Sequence, residues 1–442
     1  MSTKDLKRVL GKTELMGIAV GQIIGAGVMS LTGVAIAMTG RSSNIAFLVS
    51  TLFVLAAAIP LVFVNSCLRM RGGVYTQTNI FLGKKWSGFY IIQYIVGSIS
   101  ISMFAISLAQ YIITFIPEAN EKLVSTIVLT LFFGINYFGI SGAAKVQKAM
   151  VFILMSALII FAGFGVFKIQ PGYFNQPEFM TNGIMGIFQT AALLVFATGG
   201  AEVIVDVSGE AKNPKRDIPQ VVIISTVVVA LLYGVMCTVA AGVLPIDQVA
   251  NKTLSTVAEI ILPRPLFIYF VVCGAIFATA TTLNAKIGTC TKPVLQACSD
   301  GWFPQKFATL HPKYKTPVYL LVVFYIVGLL PILFEFSIGA IASTVVLLAY
   351  IFKIILAYKV LELPKLFPEQ WEKSPYKVGQ GMLKVLVMIS VIGISFQCYL
   401  LIMRASITQI VGTVIVFIVA LMFAQLRYKY AEKTIEVSYE VE

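Results

Sequence analysis

Residues 21–28, GQIIGAGV, and residues 197–203, ATGGAEV, are glycine-rich interruptions inside two otherwise apolar runs, about 175 residues apart. A helix that crosses lipid cannot leave main-chain amides and carbonyls unpaired unless those groups line a polar cavity or meet a ligand. Interruptions at corresponding places in two halves of a chain point to a binding site near the bilayer midplane. Glycine in a membrane helix also serves close packing. The pairing, each a cluster of small residues beside bulky apolar ones, favours a site over packing alone.

Working outward, hydrophobic residues make up 58% of the 442 residues and charged ones 12%, and mean hydropathy is +0.90. Soluble domains carry about 25% charged residues. The expected class is therefore an all-α integral membrane protein. Stretches of crossing length number about twelve, at 14–38, 44–67, 88–116, 122–141, 144–168, 184–210, 217–243, 265–297, 315–335, 337–358, 382–403 and 407–428. Laying one break over the other makes spans 1–5 (14–168) and 6–10 (184–358) two repeats, with 382–428 as an extra pair and 1–13 and 429–442 as tails. An odd number of spans per repeat forces the halves into opposite membrane orientation.

On this map about six of the 33 Lys and Arg fall on one side (Arg41, Lys122, Lys168, Lys252, Arg264, Arg404), Lys286 sits mid-span, and about 26 lie on the other. The positive-inside rule makes both termini cytoplasmic, in a cell membrane. The net charge of +13 is then a topology signal and an attraction to lipid headgroups, since nucleic-acid binding needs basic residues gathered on one folded domain. The opening MSTKDLKRVLGKTE lacks the apolar core and cleavage site of a signal peptide, so the first span is expected to persist.

Six cysteines lie in or at the ends of apolar spans without metal-ligand spacing, and the one histidine, His311, is in a basic loop. No cofactor is expected. No HExxH, catalytic aspartate pair or Ser/His dyad occurs in the spans, so an intramembrane enzyme is not expected either. The segment RMRGGVYTQTNIFLGKKW (69–86) reads as a tight turn feeding a short amphipathic helix on the membrane surface, or as a plain loop.

Where the first span unwinds at Gly25, Ala26 and Gly27, the second half-helix presents free amides backed by the positive end of its dipole, which suits a carboxylate. Unwound carbonyls before that break, and those from Phe196 to Gly199, suit an ammonium. One site holding both is an amino-acid site.

These stretches resemble the amino acid–polyamine–organocation (APC) superfamily, in its bacterial members, over nearly the whole length. The likeness rests on GQIIGAGVM (21–29), RGGVYTQTNIFLG (71–83), GGAEVIVDVSGEAKNPKRDIP (199–219), LNAKIGTCTKPVLQACSDGWFP (283–304) and HPKYKTPV (311–318). It implies a leucine-transporter-type fold of five plus five inverted spans with two extra helices. It places the substrate carboxylate on the amides of Ala26 and Gly27, and the ammonium on carbonyls of Ile23, Phe196 and Gly199, with Gly25, Thr198 and Gly200 in the same breaks. The Phe196 ring resembles the family's aromatic lid, and Glu202 its carboxylate after the second break. The charges around Glu210, Lys212, Lys292 and Asp300 resemble an inner-gate network. Animal heteromeric members join a glycoprotein heavy chain through an extracellular cysteine, and none lies near 117–121, so no such partner is expected.

Two departures bear on mechanism. Proton-coupled relatives often carry a lysine seven residues after the glutamine of span 5, and here that position is Leu154. Sodium coupling needs hydroxyls on span 8 facing span 1; Thr281 or Thr282 could serve, although threonine in a membrane helix commonly bonds its own backbone. The second departure is Lys286 in mid-span 8, a costly place for a charge. It reads as one half of an ion pair with Glu202 or Asp206, as a proton carrier replacing the missing lysine, or as a reader of the substrate side chain. Lys353 reads as snorkelling. The sequence thus points to a secondary carrier for amino acids, an exchanger first, with a proton-coupled amino acid or polyamine symporter and a non-transporting sensor as alternatives.

Overall fold

Apolar composition dictates helices, because lipid offers main-chain groups no other partners, and the computed structural model is helical nearly throughout. It describes residues 10–70, 73–138, 144–175, 177–205, 211–431 and 439–440. The helices are α1 (Lys12–Ile23), α2 (Ala26–Thr39), α3 (Ser43–Cys67), α4 (Gly73–Leu82), α5 (Lys84–Gly97), α6 (Ser100–Ile113), α7 (Glu121–Tyr137), α8 (Ala144–Val166), α9 (Gly183–Thr198) and α10 (Pro214–Val243). They continue as α11 (Ile246–Val249), α12 (Ser255–Ile261), α13 (Arg264–Tyr269), α14 (Phe277–Ser299), α15 (Val318–Leu333), α16 (Ile338–Lys359), α17 (Leu363–Leu366), α18 (Pro368–Glu372), α19 (Gln380–Arg404) and α20 (Ile407–Ala431). A π-helical stretch, Phe270–Ile276, joins α13 to α14.

Among the described residues, seven helical stretches are long and apolar enough to cross a membrane. The longest, Lys12–Cys67, runs for 56 residues, about 84 Å at 1.5 Å per residue and far more than one bilayer thickness. It contains the first break and the turn Gly40–Ser42. The protein is a multi-pass membrane protein. Its outward faces are apolar, as on α20, where Ile407, Val411, Val414, Ile415, Ile418 and Met422 are exposed. In water such a face would be costly, whereas lipid tails solvate it.

Main-chain and side-chain hydrogen bonds gather both ends of the described chain at one end of the bundle. Leu10 bridges to Ala211, the Lys12 ammonium donates to Gln220 at 2.7 Å, and Tyr376 donates to the Arg216 carbonyl. Next to them a two-residue strand, β1 (Arg69–Met70), pairs antiparallel with β2 (Tyr439–Glu440), Arg69 opposite Glu440. The helix expected to lie on the membrane surface forms as α4 but is built into the bundle. Tyr75 to Asn79 are all 6% exposed or less. Tyr75 donates to the Asp300 carboxylate at 2.5 Å, and burial together with that carboxylate pushes its phenol well above the usual tyrosine range. With its polar side chains turned into the protein, α4 has no amphipathic face to lay on lipid.

At the opposite end Arg41, on the sparsely charged side of the sequence map, is buried at 3% exposed. Its guanidinium donates to the Ala241 carbonyl at 2.5 Å and lies 5.7 Å from the centre of the Tyr173 ring. It therefore fastens α10 to the end of α2, a structural task that charge counting alone does not reveal.

Candidate functional site

Both interruptions read from the sequence are breaks in helix. α1 stops at Ile23 and α2 starts at Ala26, with Ile24 (φ −79°, ψ 77°) and Gly25 (φ −131°, ψ −142°) outside the helical region. α9 stops at Thr198; Gly199 is extended, Gly200 has φ +117°, and the chain resumes as a 3₁₀ stretch, Ala201–Val205. A φ of +117° is one that only glycine adopts without strain.

The two breaks touch. A Cβ on Gly27 would lie 2.7 Å from the Ala197 Cα, and one on Gly200 would lie 3.3 Å from the Gln22 carbonyl oxygen. Glycine at these places is what lets two backbones approach so closely. The first amides of α2 have no helical carbonyl behind them and carry the positive end of the helix dipole.

Side chains from three other helices brace this main chain. Tyr233 of α10, fully buried, donates to the Ile23 carbonyl at 2.7 Å, which also accepts the Gly25 amide at 2.9 Å. Thr282 of α14 accepts the Ala26 amide at 3.2 Å and donates to its own Ala278 carbonyl at 2.8 Å. Thr198 donates back to the Leu194 carbonyl and pairs with Ser50 of α3 at 3.1 Å, holding the end of α9. The Phe196 ring lies 5.9 Å from the ring of Phe104 on α6. Tyr233 was not singled out in the sequence. A lone hydroxyl inside the apolar run LLYGVM (231–236) was the available signal.

A cavity of about 720 Å³ opens at the end of the bundle opposite the termini and reaches α2 at Met29 and Ser30, one turn beyond the break. Gln110, Lys122 and Glu335 line it as well, and Lys122 pairs with Glu335 at 3.2 Å.

The charges differ from the sequence expectation. Glu202 accepts both its hydrogen bonds from the Lys353 ammonium of α16, at 2.7 and 2.9 Å, with the two side chains 29% and 23% exposed. Lys353 is thus half of an ion pair and does not snorkel, and Glu202 is not the partner of Lys286. The pairing of residues on α16 with the second break depends on tertiary packing that spacing does not encode. The Lys286 ammonium lies 5.9 Å from the centre of the Tyr94 ring on α5, within cation–π range. Asp206, the other expected partner, lies outside the described residues, as does Glu210. Thr281 and Thr282 both donate to carbonyls of their own helix. Leu154 is buried at 4% exposed. Among the described residues no three His, Cys, Asp or Glu side chains are grouped to hold a metal.

Residues 10–426 match the amino acid permease family. The chain is 26% identical over 342 residues to the branched-chain amino acid permease BcaP of Bacillus subtilis (strain 168), covering 71% of this chain and 72% of the relative. It is 23% identical to the methylthioribose transporter of the same organism, again over 71% and 72%. It is 26% identical to the human cationic amino acid transporter 4, over 71% of this chain and 53% of that one. Over nearly its whole length, then, the chain is that of a permease and not of an enzyme, and it belongs to the amino acid permease family.

Proposed function

We propose that this permease moves amino acids across the cytoplasmic membrane by alternating access, in exchange mode. The observation that carries the reading is the contact between the two breaks, where Gly27 of α2 packs on Ala197 at the end of α9 and Gly200 lies against the Gln22 carbonyl. The carboxylate sits on the amides of Ala26 and Gly27. The ammonium goes to carbonyls of the second break, from Phe196 to Gly200, because Ile23 already accepts two hydrogen bonds. Phe196, backed by Phe104, closes over the substrate. Lys286, beside Tyr94, faces the side-chain end. Twelve spans in five-plus-five inverted repeats (14–168 and 184–358), followed by 382–428, fit the helix order, with both termini in the cytoplasm. The 720 Å³ cavity is then the outer approach, and the Glu202–Lys353 pair belongs to the inner gate.

Two observations speak against ion coupling of the usual kinds. Leu154 supplies no ammonium, and the Thr282 oxygen, the span-8 group that meets the first break, already accepts the Ala26 amide. Replacing sodium by choline should change initial uptake by less than about twofold; a sodium dependence of tenfold or more would contradict the assignment of Thr282.

Counterflow in proteoliposomes tests the reading. Vesicles loaded with unlabelled amino acids should accumulate labelled leucine, serine, lysine or glutamate well above empty vesicles. A protein that binds without accumulating is a sensor, and one that requires a pH gradient is a symporter. The named methylthioribose relative gives a second reading, a neutral sugar thioether as substrate, favoured if methylthioribose competes where amino acids do not.

A further inference from the structure

We infer that the hydrogen bond from the Ala26 amide to the Thr282 hydroxyl is a latch of the empty carrier, which the substrate carboxylate releases. The inference rests on the amino-acid site proposed above and adds the reason why transport there is exchange. Thr282 stands on α14 and Ala26 is the first residue of α2, so the bond ties two elements distant in the chain. The hydroxyl spends its proton on the Ala278 carbonyl, which leaves an oxygen lone pair as acceptor towards the break. It comes this close because Gly25 has no side chain; a Cβ there would collide with the Thr282 Oγ1.

A carboxylate at the same amide is a stronger acceptor than a neutral hydroxyl, by roughly a factor of two in bond strength. Loading therefore replaces the tie between α14 and α2 with a tie between substrate and α2. The loaded carrier is free to move these elements apart, whereas the empty one must first break a hydrogen bond with no new acceptor for the amide. A net hydrogen bond of ordinary strength corresponds to about fivefold in population, so the empty carrier returns that much less readily. Tyr233 holds the Ile23 side of the first break, and the Thr282 hydroxyl steadies its Ala26 side between cycles. Thr282 is in this sense a positioning residue that sets the transport mode.

The test compares two fluxes from proteoliposomes loaded with a labelled mixture of leucine, serine, lysine and glutamate: efflux into plain buffer, and efflux into buffer containing the unlabelled mixture. In the unaltered protein the exchange flux should exceed net efflux severalfold. Thr282→Val should raise net efflux relative to exchange by about fivefold, and Thr282→Ser should keep the original ratio. Thr282→Ala, which only removes atoms, gives the same readout if the valine variant does not fold. A merely structural hydroxyl would lower both fluxes together. The latch is overturned if valine and alanine variants that still exchange keep the original ratio, or if serine behaves as valine. Absence of exchange in the unaltered protein would instead overturn the amino-acid site itself.

Discussion

Gly27→Val is expected to reduce amino acid exchange by about a hundredfold or more while the protein still inserts in the membrane. The added Cβ would lie 2.7 Å from the Ala197 Cα and 3.0 Å from its Cβ, and main chain cannot swing aside as a flexible side chain can. Overpacking of this kind costs about 1–3 kcal/mol in stability, which a large bundle survives. The functional loss is greater, because α2 must back away from α9 and carries its amides with it. A displacement of about 1 Å in a positioned array is worth about a hundredfold in rate. The control is Gly17→Ala on α1, where a Cβ meets nothing within 4 Å; it should leave exchange unchanged and favour the helix slightly. Initial exchange rates normalised to purified protein check both. A Gly27 variant with normal exchange would contradict the contact between the breaks.

Lys353→Met should lower exchange at least tenfold and cut the yield of folded protein. It strands the Glu202 carboxylate, which has both its hydrogen bonds from that ammonium, among the apolar side chains of α3 and α16 that line the neighbouring pocket. Removing one partner of a buried pair costs about 3–5 kcal/mol, and with both side chains about a quarter exposed the lower end applies. The double variant Glu202→Gln with Lys353→Met has no stranded charge, so yield should return. Exchange should not return, because a gate that opens and closes needs a contact of the right strength at the second break. Recovery of yield and exchange together would make the pair purely structural.

The two breaks were legible because they are covalent facts of the sequence. Glycine at 25, 27, 199 and 200 removes side chains where two backbones meet, and lipid penalises such interruptions elsewhere. The membrane class followed from composition for the same reason. The partners of charged and hydroxyl groups were not legible. Lys353 and Glu202 lie 151 positions apart, and Thr282 and Ala26 lie 256 apart, so the pairing is decided by how α14 and α16 pack against the broken spans. The reading of Lys353 as snorkelling failed on this point, since an ammonium near a helix end looks the same in sequence whether it reaches water or a carboxylate. The buried face of α4 was missed because its polar residues, Thr76 to Asn79, read as a solvated surface until their burial is known.

The most direct check of the zwitterion cradle is a cryo-electron-microscopy map of the protein saturated with an amino acid that it exchanges. The account predicts density between residues 23–27 and 196–200, with the carboxylate within hydrogen-bond reach of the Ala26 and Gly27 amides and the Thr282 hydroxyl displaced from Ala26. Ligand density elsewhere in the bundle, with the Ala26–Thr282 bond intact, would contradict it.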